Sequence, residues 1–428
     1  MLSRRTFIAS TAALAAAACG APGSATSLPT RSGEGDLIWA STWFSELRVS
    51  TGFARRMINT LEAVMAALEA DTENPNGPAK GGYTLKSGLV SPEQANPRPR
   101  NQDEFLAWYQ NLDADLFTVN PTLAQGLGEQ GVLAPLDEFI AADDATLIQG
   151  HYPYLVDQFR SASGLFALPV DANPLMVHYD PEYFAERGVP PVDDSWSWDD
   201  VVENAVQLTQ RNESGDVQRW GLFTQESGYW WALWQNEAEL ADPATLRCRL
   251  QDAAAAEALH FCSDLLHTHR VSPPATNVLE WQVSEPASRL WPAMLYLPQQ
   301  HFSRAGYRWA ALPQGNVRSV PVAGNMGIAI AARSQHKETA YTALKGLVDV
   351  MQPLAKVPAR QDAVARLSDF DEDLLPAEIA AIQQSMEHGR GLPPNPLMQR
   401  AMDAMVEGLA RGDSVATVVN ATCSALSE

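Results

Sequence analysis

The chain is short of basic charge. Lys and Arg number 30 against 51 Asp and Glu, a formal net charge of −21 at pH 7. A surface so acidic repels phosphate backbones, which argues against a nucleic-acid partner. Cysteine is scarce: four in 428 residues are too few for a disulfide scaffold. Beyond the N-terminus no run reaches the ~20 apolar residues of a spanning helix. The motifs G-x-x-x-x-G-K-S/T, H-E-x-x-H, C-x-x-C and G-x-S-x-G are all missing. Their absence removes the usual phosphate loop, zinc helix, redox pair and nucleophile elbow. What remains is 46% hydrophobic and 19% charged, an ordinary globular composition of a length that suits two lobes.

Residues 1–18, MLSRRTFIASTAALAAAA, combine Arg4 and Arg5 with a short apolar run, the pattern of a signal peptide. Ser3-Arg-Arg-Thr-Phe-Ile8 resembles the twin-arginine export motif. Cys19, between Ala16-Ala-Ala18 and Gly20, resembles a lipoprotein cleavage box, with Ala16 where Leu is usual. Gly, Pro, Ser and Thr then dominate to residue 35, so residues 19–35 are expected to be a lipid-anchored, flexible tether.

The body alternates strand and helix patterns, which favours α/β architecture. Asp36–Thr42, Tyr83–Val90 and Asp115–Asn120 read as strands. Leu61, Val64, Met65 and Leu68 continue a three- and four-residue apolar spacing begun at Phe53 and Met57. Ser197 and Asp200 form a capping box, which makes Trp196 and Trp198 packing residues. Asp252 is expected to cap a helix to about Arg270, and Ser334 one through Val350. On the first of these, His267 and His269 point about 200° apart, and His260 and His267 sit roughly 10 Å apart, so no metal site and no cofactor is expected. Cys262 is either a buried thiol or the partner of Cys248, itself read in a Thr245–Leu250 strand. Cys423 is then the unpaired cysteine.

Gly164-Leu-Phe-Ala-Leu-Pro-Val-Asp-Ala-Asn-Pro-Leu-Met-Val-His-Tyr-Asp180, then Tyr183–Pro191 and Ser195–Val201, resemble the extracellular solute-binding proteins of bacterial sugar ABC importers, the maltose-binding-protein-like family. Asp115–Asn120, Gln130–Phe139, Ala310–Gly315, Val322–Ala331, Lys356–Arg360 and Leu392–Pro396 extend the likeness over most of residues 36–428, the last two as parts of C-terminal helices. The resemblance implies a two-lobe periplasmic-binding-protein-like fold (type II) whose hinge the chain crosses three times. Lobe 1 would be 36–172 and 310–348, and lobe 2 173–309 and 349–428. It implies a monomer that binds a mono- or oligosaccharide between its lobes and delivers it to ABC permease subunits, touching the membrane only through its lipid anchor. The protein would be exported, periplasmic or at the cell surface.

A sugar ring offers a C–H face to aromatic rings and hydroxyls to amides and carboxylates. Trp43 and Phe44 follow the first strand. Tyr229, Trp230 and Trp231 resemble the family's aromatic wall, with helix core as the competing reading. Trp281 is a further aromatic candidate. Asp171 and Asn173 stand at the expected hinge mouth, and Asn120, Gly324 and Asn325 at strand ends or beside permissive glycines. Ser288–Pro298 departs from the family's usual strand ending in Gly-Pro-Trp, so contacts near Trp291–Pro298 are left unassigned. No catalytic residue is expected. The alternatives are an exported glycoside hydrolase, which needs two carboxylates at fixed separation, a metal-binding lipoprotein, or the same fold holding a polyol or glycerol phosphate.

Overall fold

The structure, a computed structural model, describes residues 28–33, 35–41, 51–90, 99–143, 146–225, 227–276, 291–299 and 306–427. The leader over 1–18, Cys19, Trp43, Phe44 and Trp281 lie outside these residues. Among the described residues, two main sheets are built from β1 (Asp36–Ser41), β2 (Thr84–Leu89), β3 (Leu116–Val119), β4 (Ala167–Pro169), β5 (Asn173–Tyr179), β6 (Leu222–Phe223), β7 (Met294–Pro298), β8 (Arg308–Ala310), β9 (Val320–Ala323), β10 (Gly327–Ile330) and β11 (Gly389–Gly391). Contacts divide the chain into two units, one reaching Ala172 and including Gly324–Asp373, the other Asn173–Ala323 with Leu374–Glu428.

The first unit carries the sheet β2-β1-β3-β10-β4. β1 runs parallel to β2 and β3, while β10 runs antiparallel to β3 and β4. Every residue of β1 is buried, as its unbroken apolar run Leu37–Ala40 requires of a strand covered on both faces. The Thr51–Ala70 helix buries Leu61, Val64 and Leu68, the expected stripe. Buried Asp115 ties this unit together. Its carboxylate accepts from Ile38 N (2.9 Å) and Ser334 Oγ (2.7 Å) and pairs with Arg31 (2.8 Å). Two expectations fail here. Ser334 does not cap the following helix, which begins at Lys337 with His336 at its N-cap; the Ser334 hydroxyl donates to Asp115 and accepts from His336 N (3.1 Å), one residue short of the helix. Residues 30–33, expected to belong to the tether, are instead bonded to the sheet. Lys86 Nζ donates to Thr30 O, Ser32 Oγ and Asp36, and Arg31 reaches Asp36 O, so charge pairing docks this stretch on the sheet.

The second unit carries β6-β7-β5-β9-β11, with β8 also on β5. β8 pairs with Val177–Tyr179 and β9 with Asn173–Pro174, which holds residues 308–323 in this unit. The return crossing therefore falls at 323/324 instead of 309/310. The last crossing falls at 373/374 instead of 348/349, because Val357 O accepts from Ala172 N and Pro358 bridges Asp171. Lys356–Arg360 is accordingly bonded backbone and not part of a helix. The expected capping box at Ser197 and Asp200 is present. Asp252 occupies the N-cap of the Ala253–His267 helix without a side-chain cap bond.

Cysteine pairing differs from expectation. Cys248 is bonded to Cys423, with Cα atoms 5.3 Å apart, and Cys262 is the buried free thiol. Thr245–Leu250 is not a strand. Asp242 Oδ1 accepts from Ala244 N, Thr245 N and Thr245 Oγ1, which winds the segment into a turn with Leu246 at φ 55°. That turn delivers Cys248 to the Val415–Ala425 helix that carries Cys423.

Candidate functional site

In open α/β sheets, ligands gather beyond the carboxyl ends of the strands. In the first unit that end is built by β1, β3 and β4 together with the start of β10. Gly327 pairs with both Val119 and Pro169, so Asn120, Met326 and the Val170–Asp171 segment share one rim. Asp171 Oδ1 accepts from Met326 N at 2.9 Å, which fixes the loop holding Gly324 and Asn325. Gly324 N donates to Gln158 Oε1 at 3.0 Å, and a Cβ on Gly324 would lie 3.1 Å from Phe159 and 3.5 Å from Pro121. Asn120 Oδ1 caps the Pro121–Glu129 helix through Leu123 N (2.8 Å), which leaves its amide nitrogen for another partner. Asn120, Asp171, Gly324 and Asn325, far apart in sequence, are thus brought to one edge. Behind them Trp39 Nε1 donates to Thr118 Oγ1 (3.0 Å), and Thr118 contacts Ser41. Gln158, Thr118 and Ser41 were not singled out from sequence. Only strand-end position would have pointed to Thr118 and Ser41.

The second unit has a comparable edge. β6 and β7 are parallel, and β5 runs antiparallel to β7. The residues after β6 and β7, Gln225 and Gln299, therefore lie at the same end as Asn173, which opens β5. Gln299 N donates to Pro174 O at 3.0 Å. Its buried Oε1 has no hydrogen-bond partner among the described residues. Gln299 immediately follows the segment where the resemblance failed, so sequence reasoning passed over it. Gln225 is structural: its amide bonds Thr224 N, Ser272 Oγ and Pro273 O.

Tyr229, Trp230 and Trp231 are all buried. Gly228, at φ 70°, packs on Met402, and Tyr229 N lies 3.2 Å from Met402 Sδ. Trp231, 1% exposed, meets Trp198, Tyr296 and Phe261 edge-on at 5.6, 5.1 and 6.3 Å. Trp231 is thus a core residue of its unit and not an open platform, because those rings already surround it. Trp230 tilts against Trp234, which lies under the Arg390 guanidinium at 4.2 Å. Burial pushes the Tyr229 phenol up, so it stays neutral.

Among the described residues no group of three His, Cys, Asp or Glu side chains could hold a metal ion. His267 Nε2 instead lies 2.7 Å from Leu409 O.

This fold is that of type II, two-lobe solute-binding proteins. The model of the bacterial extracellular solute-binding protein family matches residues 110–258. An ABC substrate-binding protein of Listeria monocytogenes in complex with cycloalternan is 14% identical and covers 91% of this chain and 97% of its own, with a TM-score of 0.64. Maltose-bound MalE3 of T. maritima is 15% identical over 92% of this chain and 99% of its own, with a TM-score of 0.60. UgpB of Mycobacterium tuberculosis in complex with glycerophosphocholine is 16% identical over 93% of this chain and 98% of its own, with a TM-score of 0.64.

Proposed function

We propose that this protein is the exported binding component of a bacterial ABC importer and that its ligand is an uncharged, polyhydroxylated molecule, a mono- or oligosaccharide. The observation that carries the reading is the likeness along 91–93% of the chain to proteins bound to cycloalternan, maltose and glycerophosphocholine. The residues gathered at the strand-end rims support it. Asn120, Asp171, Asn325, Asn173 and Gln299 are amides and one carboxylate, groups that pair hydroxyls two at a time. Binding needs no bond made or broken, and the protein is a carrier and not an enzyme. Two lobes that favour a closed form when liganded would supply the signal to permease subunits. Residues 1–18 would direct export, and an acyl chain on Cys19 would hold the monomer at the membrane surface.

A second reading keeps the fold and changes the ligand to a polyol or glycerol phosphodiester; the glycerophosphocholine-bound relative favours it. One experiment separates the two. Thermal-shift screening against a saccharide panel and glycerophosphocholine should raise the melting point with one class, by mass action. Calorimetry then gives the affinity. No shift with any saccharide, or saccharide consumption seen by chromatography, would overturn the proposal.

A further inference from the structure

The first unit contains a concavity whose lining includes none of Asn120, Asp171, Gly324 and Asn325. It has a volume of about 730 Å³ and lies between the end of the Thr51–Ala70 helix and residues 349–370. That volume is in the usual range for small-molecule sites. Ala67, Val350, Leu354 and Phe370 give it an apolar wall.

Its charged lining is acidic on balance. Arg360 is less exposed than Arg366, but its charge is already matched. Nη1 lies 3.2 Å from Asp349, and Nε and Nη2 lie 3.0 and 3.2 Å from Asp362. Arg366 is paired with Asp369 at 3.0 Å. Glu73 is paired with Lys80. Asp71, an exposed lining residue, has no ion pair or side-chain hydrogen bond among the described residues. Burial, and secondarily the charges of Asp362 and Asp71, push the Asp349 carboxyl above its usual range against the pull of Arg360 and Lys345. The cavity therefore holds negative charge that a cation would relieve.

Gln352 supplies an independent observation. It lines the cavity and is 4% exposed. Its Oε1 accepts from Arg360 N at 3.0 Å, while Nε2 has no hydrogen-bond partner among the described residues. A buried donor left unmade is costly, and a turn of the amide toward the cavity would let a ligand acceptor satisfy it.

We infer that this cavity is a binding site for a small amphipathic amine. Its ammonium would sit by Asp71 and Asp349, its apolar body against Ala67, Leu354 and Phe370, and an acceptor near Gln352. This site shares no lining residue with the strand-end rims, and it does not rest on the sugar-binding reading.

The probes are phenethylamine, its neutral counterpart 2-phenylethanol and the anion 3-phenylpropionate. Each is titrated into the full chain at pH 7 by calorimetry and by ligand-observed NMR. The expected result is at least tenfold tighter binding of the amine than of either counterpart. Asp71→Asn, a change at an exposed residue, should weaken the amine at least fivefold without moving the melting point. Ala67→Trp, which fills the apolar wall, should abolish binding of the amine. Equal binding of amine and alcohol, no binding of any probe at 10 mM, or an unchanged affinity in the properly folded Asp71→Asn variant would each overturn the inference.

Discussion

Breaking the Cys248–Cys423 bond should destabilise the second unit selectively. The two cysteines are 175 residues apart in sequence. On loop entropy alone, a cross-link over that separation restricts the unfolded chain by about 5 kcal/mol, and native disulfides more often contribute about 2–4 kcal/mol. For a unit of about 200 residues, 1 kcal/mol moves the midpoint by roughly 2–4 °C. The Cys248→Ser and Cys423→Ser variants, and the reduced wild type, should therefore melt roughly 5–15 °C lower. Tryptophan fluorescence is the right probe, because nine of the twelve tryptophans lie between residues 173 and 323. Cys262→Ser serves as control, since its thiol is free. A fluorescence midpoint unchanged within 2 °C in both single variants, or three titratable thiols besides Cys19 in the unreduced unfolded protein, would refute the pairing.

Further outcomes follow from other contacts. Arg219, itself buried, donates to Asp180 (2.7 Å), Tyr307 OH (3.1 Å) and Trp291 O (2.9 Å) and lies over the Tyr183 ring; Arg219→Met leaves half-buried Asp180 without its cation and should cost about 1–3 kcal/mol in urea unfolding. A Cβ at Gly128 would lie 2.3 Å from the Phe166 ring, so Gly128→Ala should cost about 1–3 kcal/mol, recovered in part by adding Phe166→Leu. His151 faces Leu147 O (2.8 Å) and Pro169 O (3.1 Å), contacts that favour the charged ring, yet burial dominates and, with Arg360, lowers its pKa to about 4. Below pH 6.5 the unfolded chain takes up a proton that the native ring refuses, so stability should fall by about 2 kcal/mol from pH 7 to 5, and His151→Gln should flatten that slope; an NMR titration placing this ring near pH 7 would contradict it. Asp171→Asn should weaken saccharide binding about tenfold or more in calorimetry, while Trp231→Phe should lower the melting point and leave binding within twofold.

How much of this was legible beforehand depends on range. The Thr51–Ala70 stripe, the Ser197 capping box and the run of β1 are local patterns, and each was readable because one turn or one strand contains all the information. Asn120 was readable as a strand-end residue, Asp171 as a hinge-mouth residue and Asn325 as one set among permissive glycines, although their meeting at one edge depends on the register of β10 with β3 and β4. Gln299 was not readable, because its place is defined by the pairing of β7 with β5 and no local motif marks it. Trp231 read equally well as core or platform: an indole's sequence neighbours do not say which rings will surround it.

The amino-acid order alone therefore determined the α/β class, most element positions, the acidic surface and the absence of familiar catalytic motifs, since these depend on composition and on periodicity within about 20 residues. Tertiary structure decided the rest. It joined Cys248 to Cys423, moved the later crossings to 323/324 and 373/374, bonded Ser334 to Asp115 and enclosed Trp231. Each of these depends on contacts between residues remote in sequence, which form only when the whole unit packs at once.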